Sequence, residues 1–202
     1  GLDPAELRMR MIVPPNSLTA NWLKVGSIGL AECIRQVVER SGWKDKHGRL
    51  PAGRGVGLAC GAYMCGAGLS IYWNKLPHSG VQLLVDRSGQ VTVFCGATEV
   101  GQGSDDVLAG IVAEVLGIDP YDIRCVTGDT GITPIDLGSY SSRVTVMMGN
   151  AAIEAARAVR AKLVAAAAEA LGVAPDRIAL GAGHVHRADD PAKGMAGSEE
   201  HT

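Results

Sequence analysis

Aromatic side chains make up only 4% of this 202-residue sequence, and neither sign of charge is in large excess, since the formal net charge is −2. Proteins that stack on nucleic acid bases use aromatic rings, and proteins that bind nucleic acid or anionic membranes broadly use a basic surface. Neither activity is expected here. The sequence also has no apolar run long enough to span a bilayer.

Cysteine pairs with the spacing of a zinc site are absent as well. The closest two cysteines, Cys60 and Cys65, do not form a C-x-x-C pair, and no second pair completes a tetrahedral site. The number of cysteines is odd and they are dispersed, which predicts reduced thiols and a cytoplasmic protein. The five are Cys33, Cys60, Cys65, Cys95 and Cys125.

Hydrophobic periodicity predicts an α+β fold, with a mixed sheet and helices packed on one face. The polar segment "KDKHGRLPAG" predicts a boundary between a helical linker segment, residues 1–45, and an α+β domain, residues 50–202. A glycine-rich stretch over residues 53–73 predicts a strand that another backbone or a ligand approaches closely. The other predicted elements are helices over 3–12, 28–41, 104–116 and 144–171, a hairpin over 80–97, a strand over 123–128 and a last hairpin over 177–187.

The stretch "GATEVGQGSDD", residues 96–106, joins a predicted strand to a predicted helix. It is neither a P-loop nor a dinucleotide-binding fingerprint, because the Gly-Lys-Ser/Thr ending and the third glycine are missing. Gly101 and Gly103 permit positive φ angles, Ser104 is a candidate helix cap, and the Gln102 carboxamide can both donate and accept. Either an anion site or a plain capped turn fits this pattern.

A second stretch, "DLGSYSSRVTVMMGNAA", places Ser139, Ser141 and Ser142 just before the longest predicted helix. These serines are either helix caps or donors to a ligand, and two such junctions can converge on one polyanion. Arg143 beside them pairs with a substrate or phosphate, or lies on a solvated helix face.

Three further groups have a structural interpretation. His184 and His186 alternate on one strand and so share a face, but no third ligand is evident, and surface positions are favoured over a metal site. Asp105 and Asp106 lie in a first helical turn, where carboxylates stabilise the helix dipole. The Met147–Met148 pair is expected to pack in the core.

The segments "GATEVGQGSDDVLAGIVAEVLG", "PYDIRCVTGDT" and "TPIDLGSYSSRVTVMMGNAAIEAA" together resemble the molybdenum-cofactor-binding large subunit of the xanthine dehydrogenase and aldehyde oxidase family. The resemblance covers nearly the whole chain and lies in the second molybdenum-binding domain. The start, "LDPAELRMRMIVPPNSL", is similar to the segment that links the two molybdenum-binding domains. The segment "GSYSSRVT" is most similar to the 4-hydroxybenzoyl-CoA reductase branch.

This resemblance implies a molybdopterin cofactor, in its cytosine dinucleotide form for a bacterial protein. It implies that Gln102 faces the apical oxo group of molybdenum without ligating the metal, and that Gly101 and Gly103 let the backbone approach the pterin. Ser139, Ser141 and Ser142 would bind the pterin and its phosphate.

The implied reaction is water-dependent hydroxylation, or its reductive reverse, on an aromatic, aldehyde or acyl-CoA substrate. The implied partners are the rest of the large subunit, a [2Fe-2S] subunit, an FAD subunit and a small-molecule substrate. The family's "GGFG" and "GxGE" motifs are not found, so the span holds no catalytic residue, and we expect a piece of a longer polypeptide that is inactive alone. Two alternatives remain: a non-catalytic interaction module with this fold, and a nucleotide- or CoA-binding domain of another α+β family.

Overall fold

The computed structural model describes residues 1–63, 65 and 79–196, and the chain divides into two compact units, residues 1–63 and 64–202. The first unit has a small core of Ala5, Ile34 and Trp43. Asp3 caps the first helix as its Oδ1 accepts the Ala5 N–H at 2.7 Å, and its Oδ2 accepts the Trp43 indole N–H at 2.9 Å. The elements of this unit are α1 (Pro4–Met11), β1 (Ser17–Leu18), β2 (Lys24–Val25), α2 (Leu30–Ser41) and α3 (Trp43–Lys46).

The two helices predicted in the first unit are confirmed as α1 and α2. The unit also contains two elements that were not predicted, the short β1–β2 hairpin and helix α3. In α3, Trp43 is buried and stacks on His47 with a ring-centroid distance of 4.4 Å.

The described part of the second unit carries two three-stranded sheets and two long helices. Short 3-10 turns, Pro120–Asp122 and Pro175–Arg177, each lead into a strand. The main elements are β3 (Val81–Val85), β4 (Val91–Cys95), α4 (Ser104–Leu116), β5 (Ile123–Thr127), α5 (Val144–Leu171), β6 (Ile178–Gly181), β7 (His184–Arg187) and β8 (Asp190–Ala196).

The first sheet is mixed, as predicted, because β4 pairs antiparallel with β3 and parallel with β5. Alternate residues of β4, namely Val91, Val93 and Cys95, point into the core. Helices α4 and α5 pack together over this face of the sheet. The core residues from the two helices are Leu108, Val112, Leu116, Met148, Ala152 and Ala156.

Both long helices end in the same way. Gly117 and Gly172 adopt left-handed conformations, with φ of 73° and 64°. Glycine favours this conformation at a helix end because a residue with a Cβ atom would be strained there. A proline-initiated 3-10 turn and a strand follow each glycine, so the two helix–strand units are built alike.

The second sheet is antiparallel in the order β6-β7-β8 and packs Ile178 and Val185 against Ala167 and Ala168 of α5. The predicted last hairpin is confirmed as β6–β7. Strand β8 was not predicted, because its sequence "DPAKGMA" contains a proline and a glycine, which are tolerated in an edge strand but weaken a strand pattern.

The glycine-rich strand expected over residues 53–73 is not found at residues 53–63, which have no regular secondary structure. Most of the remaining predicted stretch lies outside the described residues. Within the residues that the structure describes, no helix combines the length and the hydropathy needed to cross a membrane.

Leu108→Ala is expected to destabilise the protein by about 2–5 kcal/mol, because the Leu108 side chain is 1% exposed and its removal leaves a cavity. The neighbouring substitution Val107→Ala is the control, since Val107 is 41% exposed. Urea unfolding measures both, and equal losses for the two variants would contradict this account of the core.

Candidate functional site

The Gly-Gln-Gly turn leaves the end of β4 and enters α4. Gly101 and Gly103 have φ angles of 95° and 75°, so the prediction that both positions use glycine's freedom at positive φ is confirmed. A Cβ atom added at either glycine would meet no atom within 4 Å. The turn therefore borders open space on the side where a side chain would point.

The N-terminal end of α4 already holds an anion, the carboxylate of Glu99. Its Oε1 accepts the N–H groups of Gly101 at 2.6 Å and Gly103 at 3.1 Å, and its Oε2 accepts the Asp105 N–H at 3.3 Å and the Ser104 hydroxyl at 3.2 Å. Ser104 is thus the first helical residue and not the cap, which is Gly103. The expectation of a Ser104 cap is wrong, because Glu99 accepts the amide hydrogens that a cap would accept.

These contacts control the acidity of Glu99. Partial burial opposes its ionisation, but the hydrogen bonds from the Gly103, Asp105 and Gly101 amides and the Ser104 hydroxyl outweigh that effect and lower the pKa to about 2. Asp105 differs, because burial raises its pKa more than the hydrogen bond from the Thr127 hydroxyl lowers it. Asp105 and Asp106 both lie in the first turn of α4, as expected.

The Gln102 side chain folds back on the turn. Its Oε1 accepts the Val100 N–H at 2.6 Å, while its Nε2 donates to the Thr98 carbonyl at 3.0 Å and to the Ser104 hydroxyl at 2.9 Å. The residue is nevertheless exposed. Rotation of the amide toward a ligand would exchange these local bonds for new ones.

Ser139 joins the serine-rich loop to the glycine turn. Its hydroxyl donates to the Thr98 carbonyl at 2.7 Å and accepts the Thr98 N–H at 3.1 Å. The two stretches that the sequence singled out, 41 positions apart at this contact, therefore lie side by side. Gln102 and Ser139 both bond the same backbone residue.

Ser141 and Ser142 occupy an unusual backbone conformation, with φ angles of 50° and 49°. Positive φ in a non-glycine residue costs of the order of 1–3 kcal/mol and is concentrated at functional sites. Helix α5 has Arg143 as its N-cap and no side-chain cap. The alternative that these serines serve as caps is wrong, and no side chain of the described residues accepts a hydrogen bond from the first-turn amides of α5.

Arg143 is turned inward and its side chain is fully buried. It therefore neither lies on a solvated helix face nor is available to pair with a substrate or phosphate, and both expectations are wrong. Its Nη1 donates to Asp136 Oδ1 at 2.9 Å and to the Gly138 carbonyl at 2.7 Å, and its Nη2 donates to the Ser79 hydroxyl. The Asp136 side chain is equally buried. The charge of Arg143 is therefore neutralised within the protein, and the residue holds the serine-rich loop against the start of the β3–β4 hairpin.

Close backbone packing supports the same loop. A Cβ atom at Gly96 would lie 2.4 Å from the Pro134 carbonyl oxygen and 2.7 Å from Asp136 Cβ. Only glycine allows this approach without a backbone shift, so Gly96 sets the position of Asp136 next to the end of β4.

Sequence reasoning missed Glu99 as the internal anion and Asp136 as the partner of Arg143. Glu99 precedes Gly101 by two positions and Gly103 by four, and this spacing was a usable signal because a carboxylate there reaches both amides. No comparable signal marked Asp136, which lies seven residues before Arg143 in an irregular loop.

His184 and His186 lie away from this site. A cavity of about 400 Å³ lies at the opposite end of the β3–β4 hairpin, where Val85, Val91 and His184 line part of its wall. His186 Nδ1 lies 3.0 Å from the Arg187 carbonyl oxygen. Among the described residues no group of three His, Cys, Asp or Glu side chains is arranged to hold a metal ion.

The geometry defines a class of protein: an α+β domain in which a Gly-Gln-Gly turn and a serine-rich helix start form one surface. Residues 34–199 match a family described as "Molybdopterin cofactor-binding domain". The chain is 34% identical over 203 aligned positions to the putative xanthine dehydrogenase molybdenum-binding subunit of Escherichia coli (strain K12), covering 95% of this chain and 26% of that protein. The chain belongs to the molybdopterin cofactor-binding domains of the xanthine dehydrogenase, aldehyde oxidase and CO dehydrogenase family.

The chain is also similar to a second curated protein, and its fold matches a solved structure. The chain is 45% identical over 144 aligned positions to the 6-hydroxypseudooxynicotine dehydrogenase complex subunit gamma of Paenarthrobacter nicotinovorans, covering 71% of this chain and 17% of that subunit. Its fold matches the CO dehydrogenase of Oligotropha carboxidovorans with a TM-score of 0.60 and 24% identity, over 98% of this chain and 27% of that one. The chain spans about a quarter or less of these proteins.

Arg143→Met is expected to destabilise the protein by about 3–5 kcal/mol, because it leaves the Asp136 carboxylate buried without its partner. Arg157→Met is the matched control on the same helix, since its ion pair with Glu154 is exposed and such pairs contribute about 0–1 kcal/mol. Chemical denaturation of both variants and of Arg143→Met/Asp136→Leu checks this. Similar small losses for the two single variants would contradict it.

Glu99 should make stability depend on pH in the acid range. Because its pKa falls from an ordinary 4.5 to about 2 on folding, its contribution is complete above about pH 4.5 and is lost as the pH falls toward 2. The difference in unfolding free energy between wild type and Glu99→Gln should therefore shrink on acidification. Glu114→Gln, an exposed glutamate on α4, controls for the charge change, and an identical pH profile for the two variants would exclude the effect.

Proposed function

We propose that this chain forms part of the second molybdenum-binding domain of a molybdenum-dependent oxidoreductase large subunit, and that the cofactor is the cytosine dinucleotide form of molybdopterin. The observation that carries the proposal is the pair of hydrogen bonds between Thr98 and Ser139, because it joins the Gly-Gln-Gly turn and the serine-rich loop into one surface. Two separate motifs of the family thus meet at a single place.

The donor groups of this surface suit a phosphorylated pterin. The uncapped start of α5 and the hydroxyls of Ser141 and Ser142 offer donors and a positive dipole end to the phosphate. Ser139 contributes one remaining acceptor position while it holds the two loops together. Gly101 and Gly103 leave open space beside the turn for the approach of the pterin.

Gln102 is the residue that would face the molybdenum centre, as a hydrogen-bond donor and not as a metal ligand. An amide neither ionises nor displaces a metal ligand, so it can orient an oxo group without changing the metal's charge balance. One of its N–H groups would leave Thr98 or Ser104 to do so. This chain supplies orientation and binding, and no general base.

When bound, the cofactor supplies water-dependent hydroxylation or its reductive reverse. We assign the substrate to the aromatic, aldehyde or acyl-CoA class, and the segment "GSYSSRVT" favours the 4-hydroxybenzoyl-CoA reductase branch. The rest of the large subunit, a [2Fe-2S] subunit and an FAD subunit are the proposed partners. The name of the Paenarthrobacter relative, a subunit of a dehydrogenase complex, supports an assembly of this kind. The isolated chain should be inactive.

The native full-length complex should contain about one molybdenum per large chain and release cytidine monophosphate on acid extraction. Elemental analysis and nucleotide chromatography measure the two quantities. A complex free of molybdenum, from cells that make other molybdoenzymes, would favour the non-catalytic interaction module. Molybdenum with no cytidine monophosphate would keep the domain assignment and exclude the dinucleotide form.

Ser141→Ala/Ser142→Ala in that complex should lower the molybdenum and nucleotide content together, because two hydroxyl donors to the phosphate are removed. Ser88→Ala is the control, since Ser88 hydrogen-bonds Asp86 in the hairpin turn at the far end of β3 and β4. Unchanged cofactor content in the double variant would remove these serines from the proposed site.

A further inference from the structure

The glycine turn holds Gln102 between two residues that are both bonded to one carboxylate. We infer that Glu99 is a positioning residue for Gln102: its carboxylate fixes the turn backbone and keeps the start of α4 closed to the anionic part of the cofactor. The inference rests on the proposed role of Gln102 at the molybdenum centre. Glu99 itself would touch neither cofactor nor substrate.

The hydrogen bonds of Glu99 bracket Gln102 in the chain. Oε1 accepts the amides of Gly101 and Gly103, the residues immediately before and after Gln102. Both glycines have positive φ angles and no side chain to restrict them, so the turn would otherwise sample many conformations. One carboxylate oxygen that bonds both amides restricts the backbone on either side of Gln102.

The side chain of Gln102 belongs to the same network. Ser104 donates its hydroxyl to Glu99 Oε2 and accepts a hydrogen bond from Gln102 Nε2. The orientation of the carboxamide is therefore linked to Glu99 through one intervening hydroxyl, as well as through the backbone. Loss of the carboxylate would loosen both connections at once.

The charge of Glu99 also distinguishes the two helix starts that face this surface. A carboxylate at the α4 start satisfies its amides and its dipole, and a second anion there would meet like-charge repulsion from Glu99. The start of α5 has no side-chain cap. A phosphate is accordingly directed to α5 and the serine-rich loop, while α4 presents the neutral amide of Gln102.

Glu99→Gln in the full-length complex tests this inference, because the variant keeps the size of the side chain and removes its charge. Amide hydrogen exchange at Gly101 and Gly103 should accelerate about tenfold or more, as hydrogen bonds to a charged acceptor are replaced by weaker ones. The molybdenum(V) electron paramagnetic resonance signal of the reduced complex should shift, since Gln102 is displaced. Glu114→Gln on the same helix is the charge-matched control and should change neither quantity.

The outcomes separate this inference from the proposed function. Unchanged exchange at Gly101 and Gly103 in Glu99→Gln overturns the positioning role, whatever Gln102 does. A second outcome is that Glu99→Gln accelerates amide exchange but leaves the molybdenum(V) signal unshifted, while Gln102→Ala shifts that signal. This outcome overturns the link from Glu99 to Gln102. If Gln102→Ala leaves both signal and molybdenum content unchanged, the proposed role of Gln102 fails, and the part of the inference that concerns this residue fails with it.

Discussion

The buried ion pair between Arg143 and Asp136 is the constraint on which the candidate site depends. Two charges without solvent contact are stable only while each keeps its partner, so the loop between them cannot drift from the start of α5. The pair fixes Gly138 and Ser79 as well, because Arg143 bonds both. The strained residues Ser141 and Ser142 lie between Asp136 and Arg143, so the ion pair holds the backbone on both sides of them in place.

Two helix starts meet at this surface, and the protein treats them in opposite ways. At α4 a carboxylate from the chain itself accepts the free amides. At α5 no side chain among the described residues does so, and the adjacent Arg143 faces the interior. Backbone and hydroxyl donors are therefore the groups that the start of α5 offers.

Hydrophobic periodicity and the glycines that end helices are local signals, so the sequence predicted the mixed sheet and both long helices. Composition alone singled out the two stretches that meet at the site. It did not predict the partners of polar side chains. Arg143 looked like a surface or ligand-binding residue, since nothing in its neighbourhood marks Asp136 as its partner across an irregular loop. Ser104 looked like a cap, since the competing acceptor, Glu99, lies five residues earlier. Strand β8 was missed because its proline and glycine weaken the pattern that an edge strand tolerates.

Helix α5 has 28 residues, which corresponds to a length of about 42 Å. Its first half packs in the core under the first sheet, and its last turns pack against the second sheet. One continuous helix therefore connects the serine-rich loop at its start to the second sheet at its end. The two sheets of the second unit thus share this helix as a common packing partner.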